Sequence, residues 1–430
     1  MKKCIVIGSG FAGLAAAVYL SEAGFNVEII EASQKPGGRA YSFKEKKYGT
    51  NIDNGQHILM GCYYNTVEFY QKIGASGNLS FQKNLEVNFL RENFNLYKLK
   101  SAGRFYPLNL LIGMLSYRAM SVFERINMIK FFTKLYLYDN PKLNSLTVRE
   151  WLEREGQSAN SLESFWKILT VGAMNTSMDK ASAEIFSYIL KKMFFAGNRA
   201  ASIVIPKTGL SESYTDNALE YIRKKGGEIK FGETVKSFET HCDKITAVLT
   251  QTRKITGFDY VVSSVPVHAL EKMNPVPVKL DPLQLEYSCI VSIHIWLYEN
   301  NLSGKFYGLI GSQVHWVFNH DDHITLVISD ANHLAEKPPQ EIFETVSIEL
   351  KKYLNISTDS IKDYKVIKEK RATFVPSNEA VENRPESETR LSNFYLAGDW
   401  TQTRLPATIE GAVLSGKTAA NLIKNSEKKR

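Results

Sequence analysis

Cys4-Ile5-Val6-Ile7-Gly8-Ser9-Gly10-Phe11-Ala12-Gly13 is the stretch on which the fold turns. Four apolar residues in a row are what a strand covered on both faces requires, and a GxGxxG loop follows without a gap. In that loop Gly8 permits the tight turn, Gly10 lets the backbone approach a pyrophosphate, and Gly13 allows close helix–strand packing. A helix from Gly13 to about Ala23, with Leu14, Ala17, Val18 and Leu20 inward, would aim its first N–H groups at that pyrophosphate. Gly24 ends the helix, Val27 to Ile30 form a second strand, and Glu31 stands at its end beside Ala32. A carboxylate there accepts hydrogen bonds from an adenosine ribose. Strand, loop, helix, strand and acid in register spell a Rossmann-type α/β dinucleotide site, with Phe11 and Ala12 in its loop.

Outward from this stretch, composition narrows the classes. A chain of 430 residues predicts about two domains, and 44% hydrophobic with 23% charged residues excludes a disordered chain or a coiled coil. Cys4, Cys62, Cys242 and Cys289 have neither CxxC spacing nor a disulfide framework, so no metal site is expected and a reducing, cytoplasmic setting is. The start, MKKCIVIGSG, runs into a glycine loop in place of an apolar h-region and reads as a mature strand. A net charge of +8 suits nucleic acid, an anionic membrane surface or solubility alone. With no RNP, zinc-finger or helix-turn-helix signature, nucleic acid is not expected as a partner. No apolar run reaches about 18 residues, so no bilayer-spanning helix is expected.

Two further motifs decide which dinucleotide. Gln34-Lys35-Pro36-Gly37-Gly38-Arg39-Ala40 resembles the second glycine pair and arginine of the flavin amine oxidase and carotenoid desaturase superfamily. Near the other end, Leu396-Ala397-Gly398-Asp399-Trp400, with Leu405-Pro406-Ala407-Thr408-Ile409-Glu410-Gly411-Ala412-Val413, resembles the closing flavin segment of the same superfamily. Asp399 there can bond ribityl or bridging hydroxyls, and the N-terminus of the following helix, about Thr408 to Ile423, stabilises negative charge. The resemblance implies FAD, and with no cysteine near the segment a non-covalent flavin. Ile52-Asp53-Asn54-Gly55-Gln56-His57-Ile58-Leu59-Met60-Gly61-Cys62-Tyr63, Pro107-Leu108-Asn109-Leu110-Leu111 and the closing segment resemble hydroxysqualene dehydroxylases more narrowly. Gln402 and Arg404 depart from that family's pattern, where an acidic residue and a glycine are usual.

The implied fold is α/β: a glutathione-reductase-like FAD-binding domain (1–70, 204–270 and 386–430) with an inserted α+β substrate domain (71–203 and 271–385). By resemblance, Ile203 to Leu210 crosses back near the flavin and the backbone of Val235 meets the adenine. Strands near Ile245–Gln251 and Asp259–Ser264 are expected to complete a small sheet. The first insertion reads as helical, through Leu108–Leu137 and Trp166–Phe195. The second reads as sheet: in Cys289–Tyr298 the face Ile290, Ser292, His294, Trp296, Tyr298 either lines an apolar tunnel or packs beneath helices. Lys424–Arg430 reads as a disordered charged tail. Phe105–Tyr138, apolar but studded with Arg118, Arg125, Lys130 and Lys134, fits either a peripheral membrane surface, on the inner face of the membrane, or a solvated helical cap.

What the resemblance implies for activity is reductive removal of an allylic hydroxyl from a lipophilic isoprenoid, hydroxysqualene giving squalene, with reduced FAD as hydride source. An acid near the departing oxygen is required; His57 and Asp53 are the candidates, and for His57 a structural hydrogen-bonding role stands beside the catalytic one. The alternatives are a carotenoid-type desaturase running hydride the other way, an amine oxidase, and a non-enzymatic lipid-binding protein on the same fold. The electron donor is unknown from sequence.

Overall fold

Strands that are apolar on both faces need cover on both sides, and Lys3–Ile7, Asn26–Glu31, Tyr260–Ser263 and Phe394–Leu396 are buried almost throughout. In the computed structural model, which describes residues 1–103, 105–273, 278 and 285–428, they join Glu228–Phe231 in a parallel sheet. Its order is Glu228–Phe231, Asn26–Glu31, Lys3–Ile7, Tyr260–Ser263, Phe394–Leu396. Tyr260–Ser263 therefore does not complete the small sheet as expected from sequence. That sheet is made by Val235–His241, Lys244–Thr250 and Lys254–Ile255, while the all-apolar Tyr-Val-Val run takes the fully covered place beside Lys3–Ile7.

The first helix, Phe11–Glu22, is buried at every residue from Phe11 to Ser21, as a helix apolar all round must be. It lies against the last helix, Ile409–Lys428. Small residues set the spacing: a Cβ on Gly416 would sit 2.1 Å from the Ala12 carbonyl oxygen. The last helix runs on through Lys428, so the expected disordered tail is helical from Lys424 to Lys428, and Lys429 and Arg430 lie outside the described residues. Ser415, Ala419, Ala420 and Ile423 bury one face and carry the charged turn along with them.

The inserted part is built on a seven-stranded sheet in the order Ile361–Phe374, Tyr287–Leu297, Ile324–Ile328, Trp316–Asn319, Phe306–Leu309, Glu86–Arg91, Asn95–Lys100. The first insertion is thus not all helical: its opening hairpin, Glu86–Arg91 with Asn95–Lys100, extends this sheet. Alternation in Glu86-Val87-Asn88-Phe89 carries that signal, and the longer helical run after it masks it. The helices Leu108–Ser116 and Val122–Leu137 are separated by a turn that ends in a capping box, Ser121 with Glu124. Cys289, Val291, Ile293 and Ile295 pack with Ile342, Val346 and Leu350 of the helix Pro339–Leu354, leaving the alternate face turned the other way. No helix among the described residues is long and apolar enough to cross a membrane.

Candidate active site

The turns after Ile7, Glu31, Ser263 and Leu396 all leave the C-terminal edge of the parallel sheet, where open α/β folds bind ligands. There a cavity of about 1530 Å³ opens and continues to the seven-stranded sheet. It exceeds the roughly 300–1,000 Å³ of an ordinary ligand pocket, which leaves space for a dinucleotide and a second ligand together.

Of the residues singled out from sequence, Gly8, Gly10, Phe11, Ala12, Glu31, Ala32, Gly37, Gly38, Arg39, Val235, Gly398, Asp399, Ala407, Thr408 and Ile409 line this cavity. Gly13 does not; it closes the turn from behind, where a Cβ would lie 2.0 Å from the Gly8 carbonyl oxygen and 2.5 Å from Ser264 Oγ. Gly8 holds φ +99°, a region that favours glycine. The two glycine loops meet: a Cβ on Gly38 would approach Gly10 Cα to 3.2 Å, so the cradle has room only for bare backbone.

Glu31 accepts from the Ser9 N–H (2.7 Å), the Ser9 hydroxyl (2.8 Å) and the Ser33 N–H (2.8 Å). An ionised carboxylate offers about four lone-pair sites, so one remains for a ribose hydroxyl. Arg39 and Asp399, 360 residues apart in sequence, pair at 2.5 Å and join the two flavin motifs physically. The turn bearing Arg39 is braced by Asn54 Nδ2, donating to the Arg39 carbonyl (2.9 Å), and by the Tyr214 hydroxyl, donating to that of Ala40 (3.1 Å). The Tyr214 ring stacks on Phe11 at 3.9 Å.

Arg384 escaped the sequence reading. It is buried, and its guanidinium donates to the carbonyls of Leu405 (2.7 Å), Asp399 (2.7 Å) and Thr401 and to the Thr403 hydroxyl (2.7 Å). Burial lowers its pKa to about 10, still charged at neutral pH. One side chain thus fixes the loop from Asp399 to Leu405, and nothing in Asn383-Arg384-Pro385 signals it.

Asp53 and His57 part company. Asp53 does not line the cavity: its Oδ1 accepts from the Ser42 hydroxyl (2.6 Å) and the Leu210 N–H (2.9 Å), tying the strand Asn51–Asp53 to the helix Leu210–Lys224. His57 does line it. Its Nδ1 is buried and has no partner, and burial lowers the ring's pKa, so the imidazole is neutral at neutral pH. The loop between them is held from the substrate side by His294, whose Nε2 lies 3.1 Å from the Asp53 carbonyl while Nδ1 lies 2.9 Å from the Thr325 hydroxyl.

His294 and His315 are buried neutral, with pKa values lowered by burial to about 3 and about 4. Folded values below the unfolded one, about 6.5, mean that the unfolded chain binds the extra protons. Stability is therefore complete above about pH 6.5 and is lost as pH falls toward 4, by about 2 kcal/mol for each ring at pH 5. Urea midpoints at pH 7.5 and pH 5 should differ accordingly, and the His294→Gln variant should show a smaller difference; a midpoint independent of pH over that window would contradict the assignment.

Beyond His57 the walls turn apolar: Val87, Phe89, Leu99, Phe165, Ile168, Met193, Phe318 and Val327. Ile290 lines this chamber, whereas Ser292 stands near Gly55 and His294 meets Asp53. The face read from sequence is therefore tunnel wall at one end and brace at the other. Among the described residues no group of His, Cys, Asp and Glu could hold a metal ion.

Comparison with known proteins agrees with this geometry. The family model described as flavin containing amine oxidoreductase matches residues 11–424. The hydroxysqualene dehydroxylase of Zymomonas mobilis subsp. mobilis is 29% identical over 423 residues, 97% of this chain and 98% of the relative. The 15-cis-phytoene desaturase of an Oncidium hybrid cultivar is 25% identical over 466 residues, 97% of this chain and 77% of the relative. Among solved structures, cyclohexylamine oxidase from Brevibacterium oxydans superposes with a TM-score of 0.69 at 16% identity, covering 100% of both chains.

Proposed function

The chain belongs to the flavin-containing amine oxidoreductase family and is a flavin-dependent oxidoreductase; on that premise we propose that it binds FAD non-covalently and reductively removes the allylic hydroxyl of hydroxysqualene, giving squalene. The observation that carries the reading is the continuity of the cavity, which joins a dinucleotide cradle to a long apolar chamber with His57 in its wall. The similarity to hydroxysqualene dehydroxylases over nearly the whole chain supports it.

In this reading Glu31 takes the adenosine ribose, the Val235 backbone the adenine, and the N–H groups opening the first helix, with Arg39, the pyrophosphate. Asp399 takes the ribityl hydroxyls, and the start of the last helix, at Thr408 and Ile409, stabilises negative charge on the ring. When bound and reduced by two electrons, FAD supplies both the hydride and the proton that turn the alcohol into squalene and water. The protein orients the allylic carbon, excludes water through the apolar wall, and places the N–H of neutral His57 to hydrogen-bond the departing oxygen. Asp53 is a positioning residue, since Ser42 and Leu210 occupy its carboxylate. The segments 1–70, 204–270 and 386–430 hold the cofactor, and 71–203 with 271–385 hold the substrate.

Glu31→Ala should weaken FAD binding by roughly 1.5–3 kcal/mol, the scale of a charge-assisted hydrogen bond, and Asp399→Ala by at least as much, because it also strands Arg39. Titration of apoprotein with FAD checks both; unchanged affinity in the pair would remove the assignments.

Exposed apolar side chains Phe105, Leu108, Ile112 and Leu115 recur every three or four residues, and Phe123 stands exposed on the next helix. Arg118 and Lys130 are exposed beside them, whereas Arg125 bonds the Leu115 and Ser121 carbonyls and Lys134 pairs with Glu155 at 2.7 Å. This face rests on the headgroup region of an anionic membrane and admits the lipophilic substrate. Phe105→Ser with Phe123→Ser should lower liposome partitioning by about 2 kcal/mol or more and leave FAD bound. Partitioning equal to the unsubstituted protein would leave the face a solvated cap.

The deciding experiment is anaerobic: photoreduced holoenzyme given hydroxysqualene should form squalene, detected by mass spectrometry, while the flavin reoxidises. Oxidised enzyme bleached by phytoene instead would make it a desaturase, the reading favoured by its phytoene desaturase relatives. Protein that takes up no flavin would leave a lipid carrier.

A further inference from the structure

The loop Gln402–Pro406 has a cavity on each side. Leu405 and Pro406 line the main one, while Gln402 and Arg404 line a second, of about 820 Å³. The helix Ala183–Phe194 is divided in the same way: Ile189, Lys192 and Met193 face the main cavity, Glu184, Ile185 and Lys191 the second, and Tyr188 borders both. The Tyr188 ring is met by a cation from each lining, Lys192 Nζ at 5.3 Å from the ring centre and Arg404 Cζ at 5.5 Å. An aromatic ring set between a cation from each lining stands as a partition between the two cavities.

The second cavity has an apolar wall of Phe131, Leu135, Leu143, Trp151 and Ile185. Six of its seven charged lining side chains are engaged in pairs, Lys134 with Glu155 at 2.7 Å, Lys191 with Asp139, and Arg404 with Glu184 at 3.9 Å, and Glu382 stands outside these pairs. With most of the charge paired off, an anionic ligand gains little there, and a neutral hydrocarbon gains burial against the apolar wall. Arg404 holds φ +60°, a costly conformation for a residue with a side chain. The strained residue is the one whose side chain reaches both the Tyr188 ring and Glu184.

We infer that the second cavity receives the far, unreacting end of the long isoprenoid whose reacting end lies in the main cavity, and that Tyr188 is the movable partition between them. The inference rests on the proposed isoprenoid reading and adds a subsite that sets chain length.

Two substitutions at exposed rim positions test it. Asn144→Trp and Glu382→Trp each push bulk into the second cavity from outside the core, and either serves if the other does not fold. Dissociation constants of the flavin-loaded proteins are read from fluorescence quenching for squalene and for farnesol, an isoprenoid of half the length. The expected result is a loss of about tenfold for squalene with farnesol within about twofold. Equal weakening of both ligands, or of neither, overturns the inference. Wild-type holoenzyme that binds neither defeats the isoprenoid reading itself, an outcome separable because it needs no variant.

Discussion

Arg384→Met should purify without flavin. The substitution keeps most of the side-chain volume and removes the donors, so the carbonyls of Asp399, Thr401 and Leu405 and the Thr403 hydroxyl lose their shared partner in a buried place. A buried acceptor left unpaired costs about 1–3 kcal/mol; the Thr401 carbonyl keeps the Thr403 N–H at 2.8 Å, so the Asp399 and Leu405 carbonyls together cost about 2 kcal/mol or more. The loop relieves this by opening, which carries Asp399 away from Arg39 and unseats the start of the last helix. The loss therefore falls first on the cofactor. The flavin-to-protein absorbance ratio after gel filtration checks it. Arg384→Lys should rescue only in part, because one ammonium cannot reproduce a planar fork reaching four acceptors. Full flavin content and an unchanged melting temperature in Arg384→Met would show that the loop holds itself.

Gly416→Val should fail at an earlier stage. Its Cβ would stand 2.1 Å from the Ala12 carbonyl oxygen, 2.8 Å from the Ala16 nitrogen and 3.0 Å from Ala15 Cβ, all on a buried helix that cannot yield without lifting off the sheet. Overpacking a core costs about 1–3 kcal/mol when side chains alone must move, and here the obstacle is backbone, so the cost should exceed that range. The start of the first helix, at Phe11 and Ala12, and the start of the last, at Thr408 and Ile409, both line the cavity, so parting the helices also disturbs both ends of the proposed cradle. Soluble yield and the urea midpoint measure the effect; Gly416→Ala should be milder yet still destabilising. A soluble, flavin-replete Gly416→Val protein would show that the two helices can separate at little cost.

The sequence by itself carried the dinucleotide fold in its local spacing, and, through its resemblance to a flavin family, the flavin and the candidate residues of the cradle. Each of those depends on local spacing: an apolar run before GxGxxG, an acid after the next strand, a Gly-Asp turn before the last helix. Fifteen of the residues named from such spacing or from the resemblance line the cavity, because backbone turns and strand ends follow from a few neighbours along the chain. Tertiary structure alone decided what depends on partners far away in sequence. Tyr260–Ser263 reads as any short apolar strand until Lys3–Ile7 and Phe394–Leu396 flank it. Asp53 is a plausible acid until Leu210, 157 residues on, claims its carboxylate, and His294 is one of many alternating sheet residues until it reaches the Asp53 carbonyl. Arg384 and Tyr188 carry no signal at all in sequence, since a guanidinium's four acceptors or a ring's two cavities exist only once distant segments have packed. Local conformation is encoded by periodicity and turn chemistry; hydrogen-bond partners and cavity walls are set by which surfaces the folded chain brings together.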